Sequence, residues 1–318
     1  MTLDTILEEI KKAEKIVILT HESPDGDAVS SSLAVMHALE QFDKKADVII
    51  PEYPREFRFL PKSEKIKKES EIKQYDLAIS VDCSDLKRLV GAKEYFETAK
   101  KTIEIDHHSV NAMFADLNYV NPVSPACCQV LIGMFEYFGI EIHKDIGTCI
   151  LTGIITDTGG FQYSGVTPET FEFAAEILRK GVNISKICQE VLRTKSKANF
   201  ELTKLIYDRV EFLEEGKVGF SYITVEDQKK FDAQVGDDEG LVESIRDIED
   251  VEVAILLKEK EGKNGFKISL RSKDKINVSD IAFLLGGGGH PRAAGCFVSG
   301  NLEQAKAKIV NVVKQEIK

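Results

Sequence analysis

Apolar positions along the first half of the chain follow two alternating rhythms. Leu3, Ile6, Leu7 and Ile10 repeat at the spacing of one helix face, while Ile16, Val17, Ile18 and Leu19 run without a break. The first pattern predicts a helix over 3–12 and the second a buried strand over 15–20. Both signatures recur. Strands are expected at 46–50, 76–81 and 101–105, and helices at 27–42, 86–99, 125–138, 144–158 and 168–180, with a short strand-like piece after Gly139. Ser124-Pro125 and Thr167-Pro168 set a capping hydroxyl before a proline, which marks a helix start, and Gly181 marks a stop. Alternating strands and helices predict an α/β region with a mainly parallel sheet covered by helices.

Beyond residue 185 the rhythm changes. Helices at 184–192 and 196–213 lead into strands at 217–224, 251–259 and 265–271, the last two joined through Glu261-Gly262-Lys263-Asn264 as a hairpin. The apolar stretch 281–285 runs into four glycines and His290, followed by a strand at 294–298 and a helix at 301–317. Strands in runs predict a smaller α+β domain. The expected division is therefore a domain over 1–185, a helical connector over 186–214 and a second domain over 215–318.

A chain of 318 residues suits two domains of ordinary size. With 43% hydrophobic and 30% charged residues it falls in the globular range, which excludes a disordered chain. Charges interrupt every apolar run before membrane-spanning length, and the start lacks the basic and apolar stretches of a secretory signal. No membrane association and a cytoplasmic location are expected. Cysteines 83, 127, 128, 149, 188 and 296 show no CxxC or finger spacing and lie mostly in apolar stretches, so buried thiols are expected. The net charge of −11 argues against wrapping long duplex DNA, which needs a basic face to displace counterions. The lysine-rich stretch 62–73 reads as a solvated loop.

Four polar clusters interrupt the apolar pattern where elements should end. They are His21, Asp25 and Asp27 after the first strand, Asp82 after the third, Asp106-His107-His108 after the fourth, and Asp157 at the end of a helix. Carboxyl ends of parallel strands share one crevice, so these groups should meet. Alone, each has a plain reading: a turn, a surface histidine, a strand cap or a helix-dipole partner. Together, oxygen and imidazole donors without thiolate suit a hard or borderline divalent ion, Mn²⁺ first, with Mg²⁺ or Co²⁺ as alternatives. Gly26 lets Asp25 and Asp27 project around a tight bend, and Asp82 has two oxygens with which to bridge two ions about 3.5–4 Å apart. In the second domain Gly287, Gly288 and Gly289 allow backbone N–H groups to approach a phosphate, His290 adds a polar donor, and Arg271, Arg292 and Ser272 are further candidates for the same pocket.

In their order, His21-Glu22-Ser23-Pro24-Asp25-Gly26-Asp27, Val81-Asp82, Asp106-His107-His108 and Thr156-Asp157-Thr158 resemble the four motifs of the DHH phosphoesterases. Gly286-Gly287-Gly288-Gly289-His290-Pro291-Arg292-Ala293-Ala294-Gly295 resembles the glycine motif of the DHHA1 domain. Size and a likeness continuing through 153–181 are most similar to the NrnA-type nanoRNase/pAp phosphatases within that family. One departure is Ser30, where such proteins usually carry glycine; a slight shift of the helix start is expected. The resemblance implies a metal-dependent hydrolase with two Mn²⁺ ions, one held by His21, Asp25 and Asp82 and the other by Asp27, Asp82, His107 and Asp157. It implies that His108 touches the scissile phosphate, with Asp82 also catalytic, and that Arg271, Gly288, Gly289 and His290 grip the far end of a nucleotide across an interdomain cleft. Short oligoribonucleotides and 3′-phosphoadenosine 5′-phosphate (pAp) are the implied substrates, cleaved to mononucleotides and to AMP. A dinucleotide or cyclic-dinucleotide phosphodiesterase is the nearest alternative. A family II pyrophosphatase lacks the glycine domain, a RecJ-like nuclease should need more basic surface, and a silent RNA-binding module should not need every ligand. Base preference, polarity and a homodimeric state stay open.

Overall fold

The structure is a computed structural model that describes residues 3–317. The chain divides into two compact units between Thr194 and Lys195, inside the helical stretch that links the two sequence regions.

The first unit opens with α1 (Leu3–Lys12), β1 (Ile16–Leu19), α2 (Gly26–Glu40) and β2 (Ala46–Ile49). Next come β3 (Leu77–Val81), α3 (Lys93–Glu97), β4 (Lys101–Asp106) and β5 (Leu117–Val120). Four helices close it: α4 (Cys127–Phe138), α5 (Lys144–Asp157), α6 (Pro168–Arg179) and α7 (Ile184–Cys188). The five strands are all parallel, in the order β2-β1-β3-β4-β5. Apolar side chains from both sheet faces explain the unbroken runs in the sequence. Ile16, Ile18, Ile79 and Ile103 pack with α2, α4 and α5, while Val17, Leu19, Ala78 and Cys83 pack on the opposite side with Leu89 and Phe96. Residues 26–39 of α2 are buried throughout, which follows from its position against both α4 and α5.

Three local expectations change. The stretch 86–99 is not one helix: a 3₁₀ turn at Leu86–Arg88 and the short α3 are separated by Gly91 at φ +80°. Residues after Gly139 form no strand. The edge strand β5 had no signal, because only Leu117 of Leu-Asn-Tyr-Val is buried.

The second unit comprises α8 (Lys197–Asp208), β6 (Glu211–Leu213), β7 (Val218–Ile223), α9 (Val225–Lys230), α10 (Leu241–Arg246) and β8 (Val253–Glu259). It ends with β9 (Gly265–Ser272), α11 (Val278–Leu284), β10 (Gly288–His290), β11 (Ala293–Ser299) and α12 (Leu302–Glu316). Its sheet runs β10-β11-β9-β8-β7-β6, with β7 and β8 parallel and every other neighbour antiparallel. Phe220, Ile255, Ile268 and Leu270 pack with α11 and α12, while Ala254 and Leu256 face α8 and α10. The expected helix over 196–213 stops at Asp208, and its last residues instead form β6 at the sheet edge.

Among the described residues no helix is long and apolar enough to cross a membrane. All six cysteines are free thiols, five of them buried and Cys188 half-buried.

Candidate functional site

Strand order brings the polar clusters together. The sheet reverses direction between β1, which leads out to β2, and β3, which leads on to β4, and crevices form at such a switch point. His21 follows β1, Asp82 follows β3, and His107 and His108 follow Asp106 at the end of β4. Asp25 caps α2, its Oδ1 accepting from the N–H groups of Asp27 and Ala28 at 3.1 Å each. Asp27 lies in the first turn of that helix, and Asp157 is the last residue of α5.

Asp82 is the centre. It is 2% exposed and adopts φ +53°, a strained conformation for a residue other than glycine. Its Oδ2 lies 3.7 Å from His21 Nε2, and its Oδ1 lies 3.4 Å from His107 Nε2 and 3.8 Å from His108 Nδ1. His107 Nε2 also sits 3.3 Å from Asp157 Oδ2 and 4.0 Å from Asp27 Oδ2. Ligand-type atoms of His21, Asp25 and Asp82 gather within 4.8 Å of one another, as do those of Asp27, Asp82 and His107. Asp82 thus belongs to both groups.

Two features make these groups suited to a cation. Asp82 Oδ1 is buried without a hydrogen bond, which costs about 1–3 kcal/mol for an acceptor that nothing satisfies. Both imidazoles turn the same way: His21 Nδ1 meets the Glu22 carbonyl at 2.8 Å and His107 Nδ1 meets the Ser124 carbonyl at 3.2 Å. A ring that donates from Nδ1 to a carbonyl presents the lone pair of Nε2, as metal-binding histidines do. In both cases Nε2 faces carboxylates.

The electrostatics agree. Burial, aided by the charge of Asp82, pushes the Asp27 carboxyl up to about 7. Burial and the charges of Asp27, Asp25 and Asp82 also push Asp157 well above the carboxylate range. Burial would raise Asp82 as well, but His107 and His21 beside it hold it well below that range. Carboxylates crowded out of water favour whatever brings positive charge among them. Asp27 has a further partner: its carboxylate accepts from the N–H groups of Cys127 at 2.5 Å and Cys128 at 3.0 Å, at the start of α4. A side chain at Gly153 of α5 would collide with Asp27 Oδ1 and Cys128 Sγ, so glycine there makes room for the carboxylate.

His108 is held differently. Its Nδ1 meets Asp106 Oδ1 at 2.7 Å, and Asp106 is fully buried. Behind Asp106 lie Asn111 and the fully buried Glu104, whose carboxyl burial pushes up to about 7. These two residues carry little signal in the sequence. Glu104 sits among apolar strand residues and Asn111 in a loop, and only the alternation that puts 104 and 106 on one strand face hints at them.

In the second unit the candidates cluster at one end of β9, β10 and β11. Ala293 pairs with Arg271, and His290 with Ala293. Several polar groups there are engaged by the protein itself. Arg271 Nε donates to Glu243 Oε1 at 2.6 Å and Nη1 to the Leu270 carbonyl at 3.0 Å. Ser272 is 2% exposed and donates to the Ile276 carbonyl at 2.6 Å, where Arg292 Nη1 also donates at 2.9 Å. The glycine run is an edge strand preceded by a turn at Gly286, where φ is +76°. Gly287 has no room for a Cβ against the Gly295 carbonyl, and Ser279 Oγ anchors the Gly289 carbonyl at 2.9 Å. Gly288 lies open and exposed, and His290 is half-buried.

Comparison with known proteins agrees with both halves. Residues 15–154 match the model of the DHH family N-terminal domain, and residues 215–318 match the DHHA1 domain. The chain is 34% identical to the bifunctional oligoribonuclease and PAP phosphatase NrnA of Thermus thermophilus, covering 98% of this chain and 94% of that protein. It is 28% identical to the protein of the same name from Mycoplasma genitalium, covering 96% and 95%. Among solved structures, an exopolyphosphatase-related protein from Bacteroides fragilis superposes with a TM-score of 0.88 at 30% identity, over 98% of this chain and 95% of that one. With both domain models matched and the likeness to NrnA running nearly end to end, the chain belongs to the DHH–DHHA1 family that includes NrnA.

Proposed function

We propose that this protein is a divalent-metal-dependent phosphoesterase that degrades short oligoribonucleotides to mononucleotides and removes the 3′-phosphate from pAp. The observation that carries this reading is the Asp82 cluster: an unsatisfied buried oxygen shared by two groups of carboxylates and imidazoles, in a chain similar over its length to NrnA. His21, Asp25 and Asp82 would hold one ion, and Asp27, Asp82, His107 and Asp157 the other, with Mn²⁺ favoured by the mixed donors. Two such ions would offset charge on the phosphoryl oxygens and activate the attacking water.

The chain's own groups have separate tasks. The Glu22 and Ser124 carbonyls hold the His21 and His107 rings in one tautomer. The N–H groups opening α4 keep Asp27 turned toward His107. His108, fixed by Asp106 through Nδ1, would present Nε2 to a non-bridging oxygen of the scissile phosphate, where an imidazolium, which carries a proton on both nitrogens, stabilises charge that grows in the transition state. Arg271, Gly288, Gly289 and His290 would bind the distal nucleotide, with Glu243 orienting the Arg271 guanidinium. Ser272 and Arg292 act on this reading by bracing the turn at Ile276.

Steady-state kinetics with Mn²⁺ on pAp, a ladder of short RNAs, linear pApA and cyclic di-AMP test the proposal. Turnover of pAp and of the shortest RNAs, lost on chelation, is expected. Hydrolysis of cyclic di-AMP alone would replace this reading with the cyclic-dinucleotide one, and binding without cleavage would reduce the protein to an RNA-binding module.

A further inference from the structure

We infer that Asn111 and Glu104 are positioning residues for His108, acting through Asp106. Glu104 and Asp106 are two apart on β4, so both side chains leave the same strand face, and neither is exposed. The Asn111 amide lies between them. Its Nδ2 donates to Glu104 Oε1 at 2.6 Å and to Asp106 Oδ2 at 2.6 Å. Its Oδ1 accepts from the Met113 N–H at 2.6 Å, so the amide cannot flip without placing like groups in contact. Glu104 is pinned in turn by the Phe114 N–H on Oε2 at 3.2 Å.

The consequence falls on Asp106. Its Oδ2 is taken by Asn111 and by the His108 N–H at 3.2 Å, which leaves Oδ1 to meet His108 Nδ1 at 2.7 Å. A carboxylate with both oxygens assigned has one orientation, and so does the imidazole it holds: Nδ1 is directed at Asp106 and Nε2 faces away from it. Apolar neighbours at 103 and 105 would fill a strand like this one, and stability alone gives no reason for a fully buried glutamate at 104. Its chemical use is to occupy the second Asn111 N–H, so that the first stays on Asp106.

This inference rests on the proposed contact between His108 and phosphate, and a double-mutant cycle tests it. Asn111→Ala should lower kcat about 10- to 100-fold with KM little changed and Mn²⁺ stoichiometry intact, as losses of outer-shell partners do. In a His108→Ala background the same substitution should cost nothing more, because its effect passes through the missing ring. Glu104→Leu should give a smaller loss with the same coupling, and it carries the cycle if Asn111→Ala fails to fold. Glu104→Gln, which can keep one acceptor for Asn111 but sets its NH2 against the Phe114 N–H, should lose less activity than Glu104→Leu without reaching the wild type. Equal losses in both backgrounds would overturn the inference. Imidazole ¹H–¹⁵N NMR separates it from the proposed activity: the wild type should show an exchange-protected Nδ1–H on His108 that Asn111→Ala loses, whether or not any substrate turns over. Retention of that signal in the variant would sink the positioning role even if the wild type is an active phosphoesterase.

Discussion

The two units hold their candidate residues in opposite ways. Polar side chains at the strand ends of the first unit point at one another, across 3.3–4.0 Å gaps with few hydrogen bonds between them. In the second unit Ser272 and Arg292 are tied to the Ile276 carbonyl and Ser279 to the Gly289 carbonyl, while Arg271 is paired with Glu243. Side chains that converge without satisfying each other need something from outside, whereas side chains that tie a turn together offer the turn itself as the binding surface. The first arrangement suits ions; the second suits backbone recognition of a phosphate.

Asp82→Asn strikes the first arrangement hardest. Removing a shared charge should lower turnover at least about a thousandfold, about 4 kcal/mol of barrier, and Mn²⁺ titration should show both ions weakened. Wild-type activity at limiting Mn²⁺ would break the contrast, because Asp82 would then be one more satisfied side chain. His290→Ala probes the second unit. It should raise KM about 10- to 100-fold, in line with about 1.5–3 kcal/mol for a lost hydrogen bond to a charged group, and leave metal content unchanged. If that variant loses its ions, the assignment of binding and metal chemistry to separate units is wrong.

Gly287→Ala should cost about 1–3 kcal/mol in the second unit, because its Cβ would run into the Gly295 carbonyl and Cys296. Denaturant unfolding reads that loss, and KM should rise with it if the turn is the binding surface. Ser30→Ala has the smallest effect and the opposite sign. The Ser30 hydroxyl is buried in α2 without a hydrogen bond, as Asp82 Oδ1 is, yet it belongs to none of the ligand groups. Removing a hydroxyl that nothing satisfies should stabilise the protein by about 1 kcal/mol and raise Tm by about 2–4 °C without changing kinetics. A destabilised variant would mean that this hydroxyl has a partner.

The same contrast governs what was legible beforehand. The metal-type residues could be read only jointly, because each stands where an element ends and the parallel order of β1, β3 and β4 brings those ends together. The helix start was also readable: α2 begins at Gly26 under the Asp25 cap. Glu104 and Asn111 were hidden because their importance lies in contacts seven residues apart, which no periodicity records. In the second unit the motif was visible but its geometry was not. Four glycines do not tell an edge strand from a loop, and whether Ser272 faces a pocket or a carbonyl depends on a turn closed by Ile276. Strands β5 and β6 escaped for a simpler reason, since half-exposed edge strands carry little apolar signal.

Anomalous scattering at the manganese edge from a crystal grown with Mn²⁺ tests the central claim most directly. Two peaks should flank the Asp82 carboxylate, one toward His21 and Asp25 and the other toward Asp27, His107 and Asp157. A map with no peak in contact with Asp82, from a crystal whose protein is otherwise ordered, would contradict it.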